Sequence, residues 1–461
     1  MELSRPPATF DVIVVGARCA GASLAYHLTS AGLSVALLEA ARLPSGQRTS
    51  THLIQPPGMD ELDALGVGRH VRRLSPALRV ARLSFDGHEA RLPYGPGRAA
   101  HCLRRETLDG LLQEAAVEAG ADLRPQSRVV DVIRAADGRV RGVEVQRKGG
   151  AYDRLHADLI VGADGRHSTI AKLIGAREYL GYDGPRACYW AYWRRPATWG
   201  PHELANLYWR DDAYVVFPTD GDLLLIASAP PLERARGWRA DHTAAYLASV
   251  RSCGSIAPHI GDERPVSEVR GMLKTRYFFR ASAGPGWALI GDAGHHKDFF
   301  AGLGISDALR DAHELSLAIL DADQPDLHCW WRRRDVQRIE MFHWAADLGR
   351  PEPVDALRRL TAARLAAAPE LRARFGAIFD GRLSPYQLIP SSRAAGWVAS
   401  SLLHGDPRPL IPLIDAARRR ARAMREQRRR GRALSRSERA ADTQGQAWAP
   451  PEPAREALRP G

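Results

Sequence analysis

The chain has 461 residues, 45% of them hydrophobic and 26% charged, and a formal net charge of +12. That length allows two or three domains with ample core, and the composition excludes disordered, collagen-like and disulfide-scaffold classes. The charge is local, because Arg418–Arg439 holds eleven arginines against Glu426 and Glu438, which is +9 and leaves +3 for the rest.

Asp11–Val15 is a short apolar run bounded by a glycine, the pattern of a buried parallel strand. Gly16-Ala17-Arg18-Cys19-Ala20-Gly21 forms a turn, Ala20–Ala31 a helix closed by Gly32, and Ser34–Leu38 a second strand with Glu39 at its end. This is a strand–turn–helix–strand unit of the dinucleotide-binding kind. Gly16 allows the tight turn, Gly21 lets the helix pack close to the first strand, and the helix N-terminus offers free N–H groups to a pyrophosphate. Glu39 falls where a carboxylate accepts hydrogen bonds from a ribose. Arg18 stands where the middle glycine of G-x-G-x-x-G lets backbone approach phosphates, so its side chain must point away or reach over the ligand.

A loop with Ser45-Gly46 and Pro56-Pro57-Gly58 follows, carrying Arg48, Ser50, Thr51 and His52 toward the cofactor side, and Met59–Leu65 reads as a short helix. Leu78–Leu92 alternates around Asp86-Gly87 as a hairpin, and Leu103–Ala119 is an amphipathic helix followed by a strand at Ala121–Leu123. Val129–Ile133 and Val140–Gln146 make another hairpin, and the strand Ala157–Val161 runs into Gly162-Ala163-Asp164-Gly165-Arg166-His167-Ser168. Residues 178–279 are rich in Trp and Tyr and read as an inserted antiparallel sheet, with its aromatics mostly in the core. The α/β pattern resumes at Trp287–Ile290. Gly291-Asp292 ends that strand, His295–Ala301 forms a loop, and Gly302-Leu303-Gly304 opens the helix Ile305–Leu320.

The chain is helical from Cys329 onward, with Trp330–Ala346 and Val354–Phe375 as helices and Arg418–Arg432 as a basic helix or a disordered arm. The arginine segment reads as a solvated surface, with contact to nucleic acid or an anionic surface as the alternative. The expected domains are 1–177 (its 78–100 hairpin joining the later sheet), 178–279 for substrate, 280–328 completing the first domain, 329–440 helical, and a disordered, proline-rich 441–461. The five cysteines are far apart, without zinc spacing, and read as free thiols of a reducing compartment. With no signal-peptide core in Met1–Phe10 and no apolar run of spanning length, a cytoplasmic location is expected.

Together the three glycine-bearing strand ends resemble the flavoprotein family typified by p-hydroxybenzoate hydroxylase, which includes the geranylgeranyl reductases. Gly16 to Gly21 with Glu39, Asp164-Gly165 with Ser168, and Gly291-Asp292 with Gly302, Gly304 and Asp311-Ala312 match its three motifs in order, and Arg105 and Leu108 match its Arg-x-x-Leu helix start. The resemblance covers roughly Asp11 to Leu320. It implies a Rossmann-like FAD-binding domain with an inserted antiparallel sheet and C-terminal helices. FAD would meet Glu39 with its adenosine ribose, Gly16, Ala17, Arg18 and Gly21 with its pyrophosphate, Arg105 and Asp292 along its middle, and Gly302–Gly304 with its ring. Asp164 would act in folding and in the groove, and His52, near the ring, would orient or deprotonate a substrate hydroxyl. Ala171 and Phe299 stand where the family carries an arginine and a proline, Phe217-Pro218-Thr219 lacks the reductases' lysine, and the halogenases' tryptophan signature and lysine are missing. The expected activity is that of an FAD-dependent monooxygenase using NAD(P)H and oxygen on an aromatic or other electron-rich small molecule. A reductase of prenyl or other unsaturated bonds and a flavin-binding structural or sensing protein are the alternatives.

Overall fold

The computed structural model describes residues 8–44, 50, 52–321 and 327–444. Its central sheet has eight strands. Trp287–Leu289, Tyr152–Gly162, Ala8–Val15, Val35–Leu38 and Asp122–Arg124 lie side by side and parallel. Val12, Ile13, Val14, Leu37 and Ile160 are fully buried, as strands covered on both faces require. The hairpin Ser127–Arg134 and Val140–Arg147 extends one side of this sheet through antiparallel pairing with Tyr152–Gly162. The helices Cys19–Ser30, Arg105–Glu118 and Gly304–Leu320 cover the other face, with Leu24, Leu28, Leu108, Leu112, Leu309 and Leu315 in one apolar layer.

A second sheet of seven strands runs Arg270–Met272, Cys188–Arg194, Leu223–Ala229, Asp212–Thr219, Glu203–Trp209, Val80–Phe85 and His88–Pro93. All neighbours are antiparallel except Glu203–Trp209 with Val80–Phe85, which are parallel. The early hairpin thus joins the aromatic-rich strands. Both faces are covered. Trp190, Tyr208 and Phe217 pack toward Phe300 and Leu303, while Trp193, Trp199 and Tyr214 pack toward Tyr246 on the opposite side. Most of the aromatics are therefore core, as expected.

Three local readings change. The helix expected from Met59 begins at Pro56 (Pro56–Ala64), since the missing N–H of a proline costs nothing in a first turn. The segment His295–Ala301 is no plain loop: His295–His296 pairs with Arg276–Arg280, and Phe299–Ala301 is one tight helical turn. The arginine-rich stretch is neither an arm nor wholly solvated, and the expected boundary at 440 does not end it. It belongs to the helix Leu410–Gln444, which packs along Leu327–Leu348. Ala423 is fully buried there, Arg419 pairs with Asp347 at 2.9 Å, and Arg430 stacks over Tyr179 and Phe279 at 4.6 and 5.5 Å from the ring centres. The rest of the expected tail, 445–461, lies outside the described residues. Among the described residues no helix is long and apolar enough to cross a membrane.

Candidate active site

The carboxyl ends of the parallel strands open on a groove of about 470 Å³. At one end Gly16 turns the chain with φ +104°, and a Cβ there would stand 2.6 Å from the Ala163 carbonyl oxygen, so only glycine closes this turn. A Cβ at Gly21 would come within 1.8 Å of the Gly16 carbonyl oxygen, which fixes the close approach of helix to strand. Arg18 is extended (φ −103°, ψ −165°), a conformation open to any residue, which is why glycine is dispensable at that position. Its half-buried side chain lines the groove. The buried Glu39 carboxylate accepts from the N–H groups of Ala17 at 3.1 Å and Ala41 at 2.9 Å, tying the second strand to the turn. Gln113 secures the same turn by donating to the Ala17 carbonyl at 2.6 Å.

Midway, Arg105 donates to Asp109 at 3.2 and 2.8 Å from one helical turn away, and the Cys19 thiol donates to the same oxygen at 3.3 Å. Asp164 caps the short helix Thr169–Leu173 by accepting from Thr169 and Ile170 N–H at 2.6 and 3.2 Å, and burial pushes its carboxyl above the usual range. Burial acts on Asp292 in the same sense, but His296, 3.1 Å away, overcomes it and holds this carboxylate low.

At the far end Gly302 adopts φ +62°, and its Cα faces Leu53 so closely that a Cβ would stand 2.5 Å from that side chain. Gly304 opens the helix Gly304–Leu320. Phe299 and Phe300 stack with centroids 4.5 Å apart. Beside them Asp298 is buried and its carboxyl is pushed up to about 7. Lys297 pairs with Asp307 at 2.6 Å, and His295 with the fully buried Asp311 at 3.0 Å. Ser50 also lines this region and accepts from the His52 N–H at 3.0 Å, whereas Arg48 and Thr51 lie outside the described residues.

His52 links the groove to the seven-stranded sheet. It sits in the left-handed region (φ +63°), a strained setting for a histidine, and it is 5% exposed. Its Nε2 is hydrogen-bonded to the hydroxyl of Tyr192 from the seven-stranded sheet, and the two rings lie 16° from parallel. Burial, then the Arg105 charge, push the imidazole down to about 3, so it is neutral at physiological pH. With the phenol donating to Nε2, the ring hydrogen belongs on Nδ1. Among the described residues that atom is buried without a partner, as is Oδ1 of Asp164.

These orphaned atoms, with glycines at Gly165 and Gly304 where a Cβ would meet nothing within 4 Å, suit a groove that takes an extended polar ligand such as FAD. The structure brings every expected site residue to this groove or, for Ala17 and Gly21, to the turn beneath it. Four further residues escaped sequence reasoning. Asp109 had a signal, four residues after Arg105 on one helix face. Tyr192 and Gln113 had none, since their partners are distant in sequence, and Asp298, which caps the turn Phe299–Ala301 by accepting from the Phe300 N–H at 3.3 Å, stood in a stretch read only as a loop.

The FAD binding domain family matches the chain over residues 9–322. The 6-methylpretetramide 4-monooxygenase of Streptomyces rimosus is 29% identical over 384 residues, 77% of this chain and 84% of that protein. Digeranylgeranylglycerophospholipid reductase 2 of Methanothermobacter thermautotrophicus is also 29% identical, but over 171 residues, 36% of this chain and 42% of that one. The flavin-dependent brominase Bmp2 superposes with a TM-score of 0.67 at 17% identity, over 86% of this chain and 99% of its own. The groove, its three glycine junctions and a match across two thirds of its length make this chain a member of the FAD binding domain family and an FAD-dependent oxidoreductase.

Proposed function

We propose that the protein is an FAD-dependent monooxygenase that uses NAD(P)H and oxygen to hydroxylate an aromatic or other electron-rich small molecule in the cytoplasm. The observation that carries this reading is the contact of His52 with Tyr192, where the end of the nucleotide groove meets the aromatic-rich sheet. A relative matched along most of both chains is named as a monooxygenase of 6-methylpretetramide, which supports the same reaction class. When bound, FAD supplies the redox chemistry, accepting hydride from NAD(P)H and activating oxygen.

The roles of the chain's own groups follow from their positions. Gly16, Ala17, Arg18 and Gly21 hold the pyrophosphate at the helix N-terminus, and the Glu39 carboxylate takes the adenosine ribose. Arg105, fixed by Asp109, and Asp292 hold the middle of the cofactor, with Asp164 keeping the adjoining turn in place. The Gly302–Gly304 backbone receives the ring. An imidazole pushed down to about 3 has little drive to take a proton near pH 7, so His52 orients and does not deprotonate. Tyr192 fixes the ring, and the unpaired Nδ1–H presents a donor to an acceptor atom in the groove. Leu53, Phe300 and Leu303, each under a tenth exposed, keep water from this end.

Anaerobic turnover tests the reading. With NAD(P)H, a working aromatic substrate and no oxygen, the bound flavin is reduced and the substrate persists, while labelled oxygen enters the product in air. Substrate loss without oxygen, giving a product heavier by two hydrogens, overturns it in favour of a reductase.

A further inference from the structure

From the outer face of the C-terminal helical hairpin, we infer that the protein docks on an anionic lipid bilayer. The hairpin is formed by the helices Ser391–Leu403 and Leu410–Gln444. At its bend Leu403 is 88% exposed and Ile411 72%, with Leu402, Leu410 and Ile414 exposed beside them. Large apolar side chains gathered at one solvent-facing corner mark a surface that is covered in use.

What covers them is set by charge. Ile411, Ile414, Arg418, Arg422, Arg425 and Arg429 recur every three or four residues, all exposed, and therefore form one stripe. The stripe runs for about 27 Å at 1.5 Å per residue, apolar at its start and cationic beyond. Among the described residues no carboxylate pairs with Arg422, Arg425, Arg428, Arg429 or Arg432; Arg418 pairs only with the half-exposed Asp415 of its own helix, at 3.3 Å, while the half-buried Arg419 and Arg430 are paired on the side that faces the body. Cationic side chains beside exposed apolar ones, on a helix that cannot span, match a bilayer surface: the apolar corner enters the acyl boundary and the arginines lie among acidic headgroups. A second copy of the chain would set two stripes of the same sign against each other. A nucleic acid would satisfy the arginines and leave Leu403 and Ile411 without a purpose.

Flotation of the FAD-loaded full chain with vesicles of phosphatidylcholine, alone or mixed with phosphatidylglycerol, tests the proposal. The protein floats with the mixed vesicles only, and salt weakens the association. Replacing Arg422, Arg425 and Arg429 together by alanine lowers the partition about 100-fold. The pair Leu403→Asp and Ile411→Asp lowers it at least about tenfold. Both sets of variants keep the flavin content of the parent, since the altered side chains touch solvent. A chain ending at Gln444 still floats.

Several outcomes overturn the proposal. Failure to float with phosphatidylglycerol at low salt does so, and so does flotation indifferent to the two aspartates. Salt-sensitive capture of a duplex RNA or DNA oligonucleotide without vesicle binding assigns the stripe to nucleic acid. A dimer that Leu403→Asp dissociates assigns the corner to a second copy, and flotation that needs residues 445–461 assigns it to the tail.

Discussion

Arg430→Ala separates a structural arginine from its solvated neighbours. Arg430 is 11% exposed at its side chain and stands 3.6 Å from Oδ2 of Asp335, which is 2% exposed. Arg334 donates to the other oxygen, Oδ1, at 3.1 and 2.9 Å. Among the described residues Oδ2 has no hydrogen bond, and burial pushes the Asp335 carboxyl far up. Removing one partner of a buried pair costs about 3–5 kcal/mol; a carboxyl already pushed up can take a proton when Arg430 is gone, and Arg334 remains beside it, so the loss stays near the lower end, about 3 kcal/mol. The lost stacking over Tyr179 and Phe279 adds about 1 kcal/mol. The expected loss is therefore about 4 kcal/mol, measured by urea unfolding of the holoprotein followed through flavin fluorescence. Asp335→Asn in the same chain recovers about 2 kcal/mol, because the amide carries no charge to strand. A loss under about 1 kcal/mol, or a second substitution that recovers nothing, refutes the reasoning. Deleting residues 418–461 should likewise cost flavin retention, since the deletion uncovers Tyr179 and Phe279 together with Asp335.

Four more substitutions probe the groove and its rim. Gly21→Ala places a Cβ 1.8 Å from a backbone oxygen and costs more than about 3 kcal/mol, so the purified protein should be colourless; a yellow variant of parental stability would show that the turn is not tight. Asp298 is raised from 3.8 to about 7, so its neutral form stabilises the fold fully below about pH 4 and that contribution is lost as pH rises through 7. Asp298→Asn should thus gain up to about 4 kcal/mol on the parent between pH 4 and pH 8, and a pH-independent difference in urea unfolding would sink the assignment. Tyr192→Phe should cost about 1–3 kcal/mol through the unpaired Nε2 of His52, and the kcat/KM profile from pH 5 to 9 should carry no limb that His52→Gln removes.

The parallel strands, the three glycine junctions and the inserted sheet were legible because each is written in local sequence. Gly16 and Gly21 answer contacts within the turn, and Glu39 follows directly on its strand. The dispensable middle glycine was not legible, because the extended backbone of Arg18 depends on how the helix seats. Tyr192 lies in an aromatic strand whose neighbours Trp190 and Trp193 are both core, and nothing in the alternation marks it as the residue that turns toward His52. The Arg430–Asp335 pair joins helices nearly a hundred residues apart, so an arginine in a basic run looked like all the others.

The order of strands in the central sheet governs when this protein can first hold its cofactor during synthesis. Ala8–Val15 leaves the ribosome before its partners, yet one neighbour, Tyr152–Gly162, follows after well over a hundred residues, and Trp287–Leu289 completes that side later still. Val80–Phe85 waits for Glu203–Trp209 in the same way. At a synthesis rate of about 5–20 residues per second, the nascent chain carries open strand edges for tens of seconds. FAD can therefore bind only after the chain as far as Gly304 has emerged, and a chain starved of flavin is most exposed to chaperones and proteases in that interval.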